Sequence, residues 1–396
     1  MNLSLMHIVH RVAFLVAAFL LAPNLQAADE TDSVAAWRGA KVRPVSTAPD
    51  RHTMHTYYLV NPESPDGTKV VFFASTHKAG HVGNVVVQDR ATGAETVLAE
   101  NVNTEDAHRV ALQQWVGGGK FVAYHEVVDG RWQVCTVDVA TKEKKVVAQD
   151  RQLAFAQGHG DLLPMYGCHW NPGEYRDLYL YNVKTGETTV PAKIAEVEAK
   201  YGEWLKEEFA GKQTSIAFPC LSPDLNRIFF KISAGNGGDV FMSKAASVRQ
   251  GTVFFDLRKG HITWQRNKWG HPAWHPDSQH IIEMGNLVFD ADGGPYTRIP
   301  NTPSLRGMHP SVSSDGKLWV TDGTAETVGG SEGDWAIMVA DFAGKSYEVL
   351  DRFKLMPGAY SWRVSHPHPI FSADGKRIYF NKSNGTHTQL FVAEKP

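Results

Sequence analysis

The chain of 396 residues contains only three cysteines, has no excess of either charge and, beyond its N-terminus, shows no apolar run long enough to cross a bilayer. Each absence excludes something. Cys135, Cys168 and Cys220 include no CxxC pair and permit at most one bridge, which rules out a disulfide-stapled fold; they read as thiols behaving like small apolar side chains. Forty Lys and Arg against 42 Asp and Glu give a formal charge of -2, so no basic surface is on offer to a nucleic acid or an anionic membrane. With 42% hydrophobic and 21% charged residues, the composition is that of a folded globular protein.

The N-terminus carries one apolar stretch. His10 and Arg11 precede a run from Val12 to Pro23, and small residues follow at Ala27 and Ala28. That order of basic, apolar and small residues predicts an export signal over residues 1–27, since the run falls short of the roughly 20 residues a bilayer span requires. The rest, 28–396, is then expected as one domain in the periplasm or outside the cell. No membrane span is expected after signal removal, and oligomeric state is not legible.

What the sequence has in abundance is a recurring phrase. It appears as Asn61-Pro-Glu-Ser-Pro-Asp66-Gly, Phe218-Pro-Cys-Leu-Ser-Pro-Asp224, His271-Pro-Ala-Trp-His-Pro-Asp277, His309-Pro-Ser-Val-Ser-Ser-Asp315-Gly and His368-Pro-Ile-Phe-Ser-Ala-Asp374-Gly. Each copy runs into β-branched or aromatic residues, so each reads as strand, tight turn, strand. Weaker turns at Ala91-Thr-Gly, Val139-Ala-Thr and Lys184-Thr-Gly join further short alternating strands. The four clear C-terminal copies begin 53, 38 and 59 residues apart. About 50 residues per unit predicts an all-β fold, a seven-bladed β-propeller of four-stranded antiparallel blades, with six and eight blades as neighbouring solutions. One interruption, near 192–210, places Ile194, Val197, Tyr201, Leu205 and Phe209 at helical spacing and predicts a short helical insertion.

In a propeller the first strand of each blade lines the axial channel, so the residues that open the phrase are expected around a shared funnel. Several are histidines: His271, His309, His366 and His368. His366 and His368 lie two apart on an extended segment and face the same way. A lone His-Pro step is an ordinary strand cap, whereas imidazoles from separate blades meeting in a wet channel make a metal site.

The stretch Ser365-His366-Pro-His368-Pro, together with His309-Pro-Ser-Val, His271-Pro-Ala-Trp-His-Pro-Asp and Ser247-Val-Arg249-Gln, resembles the oligogalacturonate lyase family. The resemblance is strongest over 215–396. It implies a seven-bladed propeller lyase that cleaves acidic, uronate-containing oligosaccharides or polysaccharides by β-elimination. It also implies His271 as the base, Arg249 as its partner, and His309, His366 and His368 as ligands of a divalent metal, typically manganese, with zinc or calcium as alternatives. One position departs from the family. A glutamine ligand is expected three residues before the His-x-His pair, and this chain has Arg363, whose guanidinium has no lone pair to give. Either another group or water completes the shell, or Arg363 neutralises the substrate carboxylate directly.

A second constellation occupies the early blades: Glu105-Asp106-Ala-His108-Arg109 and Tyr124-His125-Glu126, followed by His159 and His169. The architecture also resembles propeller lyases of ulvan and of rhamnose-glucuronate chains, which makes His108 and His125 second candidates for catalysis. His159 and His169 read as hydrogen-bonded channel residues. Six of the eleven tryptophans, Trp115, Trp170, Trp204, Trp269, Trp274 and Trp362, read mostly as core, with one or two available to stack on sugar rings. Gly329-Gly-Ser331-Glu-Gly333 spells a nucleophile elbow but leads into a strand rather than a helix. A non-catalytic periplasmic binding propeller stands as the competing class, because the repeats alone suit it equally.

Overall fold

In the computed structural model the described residues are 33–104, 106–236, 246–305, 309–361 and 363–396, so the expected signal at 1–27 lies outside them, as do Glu105 and Trp362. They form seven four-stranded antiparallel sheets, the seven blades anticipated from the repeat spacing. Blade I comprises His52–Met54, Lys69–Ser75, Val82–Asp89 and Glu95–Asn103; blade II begins at Gln114–Val116, blade III at Arg151–Leu153 and blade IV at Thr214–Leu221. Blades V and VI begin at Ala273–Trp274 and Ser311–Val312. Blade VII is composite: Ile370–Phe371, Arg377–Ser383 and Thr388–Glu394 are joined on the outside by Lys41–Pro44 from the other end of the chain.

This composite blade closes the ring. Lys41 pairs with Glu394 and Pro44 with Phe391 in antiparallel register, and Arg43 donates two hydrogen bonds to the Glu394 carboxylate, both 3.1 Å. A second seam lies between blades I and VII, where the Nδ1 of His52 accepts the Thr388 backbone N–H at 2.9 Å and the Thr53 hydroxyl accepts that of Leu390 at 3.2 Å.

The turn after each first strand explains why the phrase recurs. In Ser64-Pro-Asp66 the Ser hydroxyl donates to the Asp carboxylate, that carboxylate accepts the N–H two residues on, and the Ser oxygen accepts the Lys69 N–H. The same three bonds recur at Ser222 with Asp224 and at Ser372 with Asp374. These are Asx-type turns, in which a short polar side chain stands in for backbone partners. Between blades, cores of aliphatic and aromatic residues are buried, as where Val71, Phe73 and Val85 meet Val122, Tyr124 and Val137.

The insertion is a helix, Ile194–Glu208, kinked at Tyr201, and its buried face of Ile194, Val197 and Leu205 packs on blade IV residues Ile216, Ile228 and Phe255. Gly251 has φ +69°, and a Cβ there would lie 2.5 Å from the Trp204 ring, so the helix approaches the sheet closely because that residue has no side chain. All three cysteines are buried thiols outside any disulfide. Among the described residues no helix is long and apolar enough to cross a membrane.

His52 carries a pH prediction. Burial, reinforced by neighbouring His387, pushes its pKa down to about 4 from 6.5. Because the folded value lies below the unfolded one, the stability that neutral His52 contributes is complete above about 6.5 and is lost as pH falls towards 4. Thermal unfolding followed from pH 7.5 to pH 4.5 is expected to show a falling Tm, with a shallower fall in His52→Gln. Equal slopes would remove His52 as a cause.

Candidate active site in the axial channel

The site is assembled from one repeat position. Six residues ahead of the turn aspartates Asp66, Asp224, Asp277, Asp315 and Asp374 stand Val60, Phe218, His271, His309 and His368. The last three histidines each sit two residues before the first strand of blades V, VI and VII. Their rings meet. His271 and His309 centroids are 4.9 Å apart and His309 and His368 4.4 Å. His366 lies 5.4 Å from His309 and 5.8 Å from His368.

His108 joins them from the loop leading into blade II, with its ring 4.6 Å from His368 and 4.7 Å from His366. Asp106 fixes that loop by accepting the backbone N–H groups of His108 and Arg109 at 2.8 and 2.9 Å, and its carboxylate lies 3.9 Å from the Arg363 guanidinium. His108, His309, His366 and His368 each offer a ligand atom within 4.8 Å of the others.

Two tautomers are set by their partners. A carbonyl only accepts, so His108 carries its proton on Nδ1, donated to the Val364 oxygen at 3.2 Å, and keeps a lone pair on Nε2. His309 likewise turns Nδ1 to the buried Asp322 carboxylate at 3.0 Å, leaving Nε2 buried with no hydrogen-bond partner among the described residues. Neither ring nitrogen of His368 has such a partner. The Asp322 carboxylate also accepts the backbone N–H of His309 at 3.1 Å and of His368 at 3.3 Å, so one acid orients two of the rings. Burial drives the pKa values of His108 and His368 well below 6.5, with Arg363 adding to the shift at His108 and His309 at His368, so both are neutral near pH 7. Buried, neutral, inward-facing nitrogens without partners fit a metal ion, which alone would satisfy several lone pairs at once.

Beside the cluster opens a pocket lined by His108, His271, Arg109, Arg249, Arg363, Lys231 and a set of aromatic rings. Phe218 stands between two cations, with the Arg109 guanidinium 4.6 Å and the Arg249 guanidinium 5.9 Å from its centroid, and Arg249 also lies 5.5 Å from Trp269. Phe218 and His368, at the same repeat position, both have positive φ, +52° and +50°, an uncommon conformation for side chains of this size. Lys231 is buried, bonds to Thr252 and the Trp269 carbonyl, and is driven well below its usual pKa by burial and by Arg266. Tyr58 and Leu59 also line a second cavity of about 1390 Å³, walled by turn residues such as Pro65, Pro223 and Pro276, so the segment from blade I partitions the channel.

The structure therefore brings His309, His366, His368 and His108 into one cluster, with His271 against His309, and places His271, His108, Arg249 and Arg363 on the pocket beside it. It does not bring His125 there: its Nδ1 accepts the Leu153 N–H at 3.2 Å and its ring packs on Trp132, a position between blades II and III. His159 faces the Pro223 carbonyl at the other cavity, and His169 meets the Ser247 hydroxyl at 2.7 Å. Of the tryptophans, Trp269 reaches the pocket. Tyr57, Arg109, Lys231 and Asp322 were not singled out in the sequence. Arg109 adjoins His108 in the chain, but nothing local marks the other three.

No family model matches the sequence, and a search of the curated proteins finds no relative. Solved structures do match. An oligogalacturonate lyase in complex with manganese shares 20% identity over 90% of this chain and 94% of its own, at a TM-score of 0.59. A second oligogalacturonate lyase, from Vibrio parahaemolyticus, has 15% identity at the same coverage and TM-score. The chain has the seven-bladed fold of the oligogalacturonate lyases. A chain of a mitotic checkpoint complex also matches at a TM-score of 0.51 and 13% identity, so this likeness carries architecture and not activity.

Asp322→Asn is expected to weaken divalent-metal binding by about 10–100-fold, the usual cost of losing an outer carboxylate partner of a ligating histidine. Calorimetric titration of the metal-stripped protein measures it. Unchanged affinity would remove Asp322 from any role in orienting His309.

Proposed function

We propose that the chain is a lyase that cleaves a uronate-containing glycan by β-elimination. The observation that carries this reading is the convergence of His271, His108 and three guanidinium groups on one aromatic-walled pocket, directly beside the cluster that His108 forms with His309, His366 and His368. A sugar acid presents a carboxylate to the cations and the apolar face of its ring to Trp269, Phe218 or Phe155.

Elimination requires the C5 proton to leave, the C4–O bond to break and a C4=C5 double bond to form. His271 is assigned as the base. Burial, followed by His309 and Lys231, holds its pKa well below 6.5, so the imidazole is neutral and able to accept a proton at physiological pH. A base this weak depends on a more acidic C5–H, which follows when the adjacent carboxylate is neutralised. Arg249 and Arg363 line the same pocket and supply positive charge for the carboxylate and for the enediolate-like charge that develops on it. A divalent cation held by His309, His366 and His368 supplies further Lewis acidity when bound. Gly270, φ +55°, precedes the base; a Cβ there would meet the Glu283 carboxylate at 2.4 Å, so glycine at this position sets where His271 begins. Export to the periplasm or beyond agrees with a glycan substrate.

Ultraviolet absorbance of the unsaturated product, followed with oligogalacturonate, ulvan and glucuronate-capped arabinogalactan, each with and without chelator, tests the reading. One of the three is expected to give product, with loss on chelation. His271→Ala is expected to abolish turnover in a folded protein, while His366→Ala and His368→Ala lose bound metal. Absence of product from every uronate, with metal present, would leave a binding propeller. Wild-type rates in folded His271→Ala would place the base elsewhere.

A further inference from the structure

Arg363 and His108 are tied to each other at the edge of the cluster. Arg363 has no lone pair for a cation, and its guanidinium faces Asp106, the acid that turns the backbone of His108. His108 in turn is held with Nδ1 on the Val364 carbonyl, one residue from Arg363 in the chain, so the segment that carries Arg363 anchors the ring that offers a donor. The Nε2 of His108 carries its lone pair by elimination, and its ring packs against both His366 and His368.

The donor set that results contains no oxygen. Among the described residues, two acids beside the cluster are already committed behind the rings: Asp322 to His309 and the backbone of His368, Asp106 to the backbone of His108 and Arg109 and to Arg363. Neutral imidazoles favour the later first-row divalent ions, whereas manganese and calcium favour carboxylate, carbonyl and water oxygens. Four nitrogen donors already within 4.8 Å of one another are also close to the spacing of a tetrahedral shell, about 3.4 Å for metal–nitrogen bonds of about 2.1 Å.

We propose that His108 is the fourth ligand of an all-imidazole site with His309, His366 and His368, and that this site takes zinc, or cobalt in its place, in strong preference to manganese and calcium. This deepens the assignment of a metal to the three strand-leading histidines, and it stands or falls independently of the lyase reaction. Arg363 lines the pocket as a fixed positive charge for an anionic ligand, steadied by Asp106.

The full chain without its N-terminal signal, stripped with chelator, is titrated with zinc, manganese and cobalt chlorides, with calorimetry for affinity and visible absorption of the cobalt form for geometry. One zinc per chain is expected, retained against a large excess of manganese, with the intense cobalt absorption of four-coordinate nitrogen ligation. His108→Ala is expected to weaken zinc by more than the roughly 100-fold that marks an outer partner, and to dim the cobalt bands. His108→Gln, which restores an amide oxygen, is expected to narrow the gap between zinc and manganese. His159→Ala, at the other cavity, serves as the unchanged control. Circular dichroism confirms folding, and the Gln variant decides the matter should the Ala variant unfold. Equal affinity for zinc and manganese in the unmutated chain, or a cobalt spectrum indifferent to His108, would overturn the proposal. Tight zinc binding through His108 with no product from any uronate would uphold it and sink the lyase reading instead.

Discussion

Everything in the channel depends on the closure of the ring, where Lys41–Pro44 pairs with Thr388–Glu394. The groups that meet at the cluster arrive from the loop before blade II and from the leading ends of blades V, VI and VII. No local segment holds them together. An open stack of seven sheets would splay and would present two bare sheet edges, whereas the composite blade pairs the last strand with the first and fixes the angle between every neighbour. The polar contacts of Asn381 add to this seam: its amide exchanges hydrogen bonds with the His55 backbone in blade I and reaches the His366 carbonyl.

Closure brings imidazoles closer than positively charged rings tolerate. Centroid separations of 4.4 to 4.9 Å between His309, His368, His108, His366 and His271 are stable because burial keeps most of these rings neutral. The guanidinium groups stand in the pocket beside them, and Arg109 and Arg249 are spread over aromatic faces. A cluster of neutral nitrogens next to fixed positive charge is an arrangement that attracts an anion to one side and a cation to the other. That division of labour is what the proposed elimination asks of a pocket.

Much of this was legible because a repeat repeats its physics. Four Ser-x-Asp turns and the His275-Pro-Asp277 variant declare strand, turn and strand, and the hydrogen bonds found at Ser64, Ser222 and Ser372 are nearly the same set. Spacing gave the number of blades, and the His-Pro steps marked three channel positions. The closing strand was not legible: Lys41–Pro44 is four mostly exposed residues without alternation, and only its partner makes it a strand. Nor was the company His108 keeps, since its loop stands outside the phrase and its register relative to blade VII is a matter of ring geometry. His125 resembled His108 in local sequence, yet it lies on the second strand of blade II, where its ring nitrogen caps a backbone N–H of the next blade.

The sequence by itself determined the class of fold, the unit of repetition, the helical excursion and the chemical type of the residues that lead each blade, because these follow from periodicity and turn chemistry within a few dozen residues. Tertiary structure alone decided which of those residues meet. Asp322 of blade VI on the backbone of His368, Arg363 against Asp106, and Arg109 over the ring of Phe218 are contacts across blades. Their partners are set by the rotation from one sheet to the next and by the closing of the circle, quantities that no single stretch of chain contains.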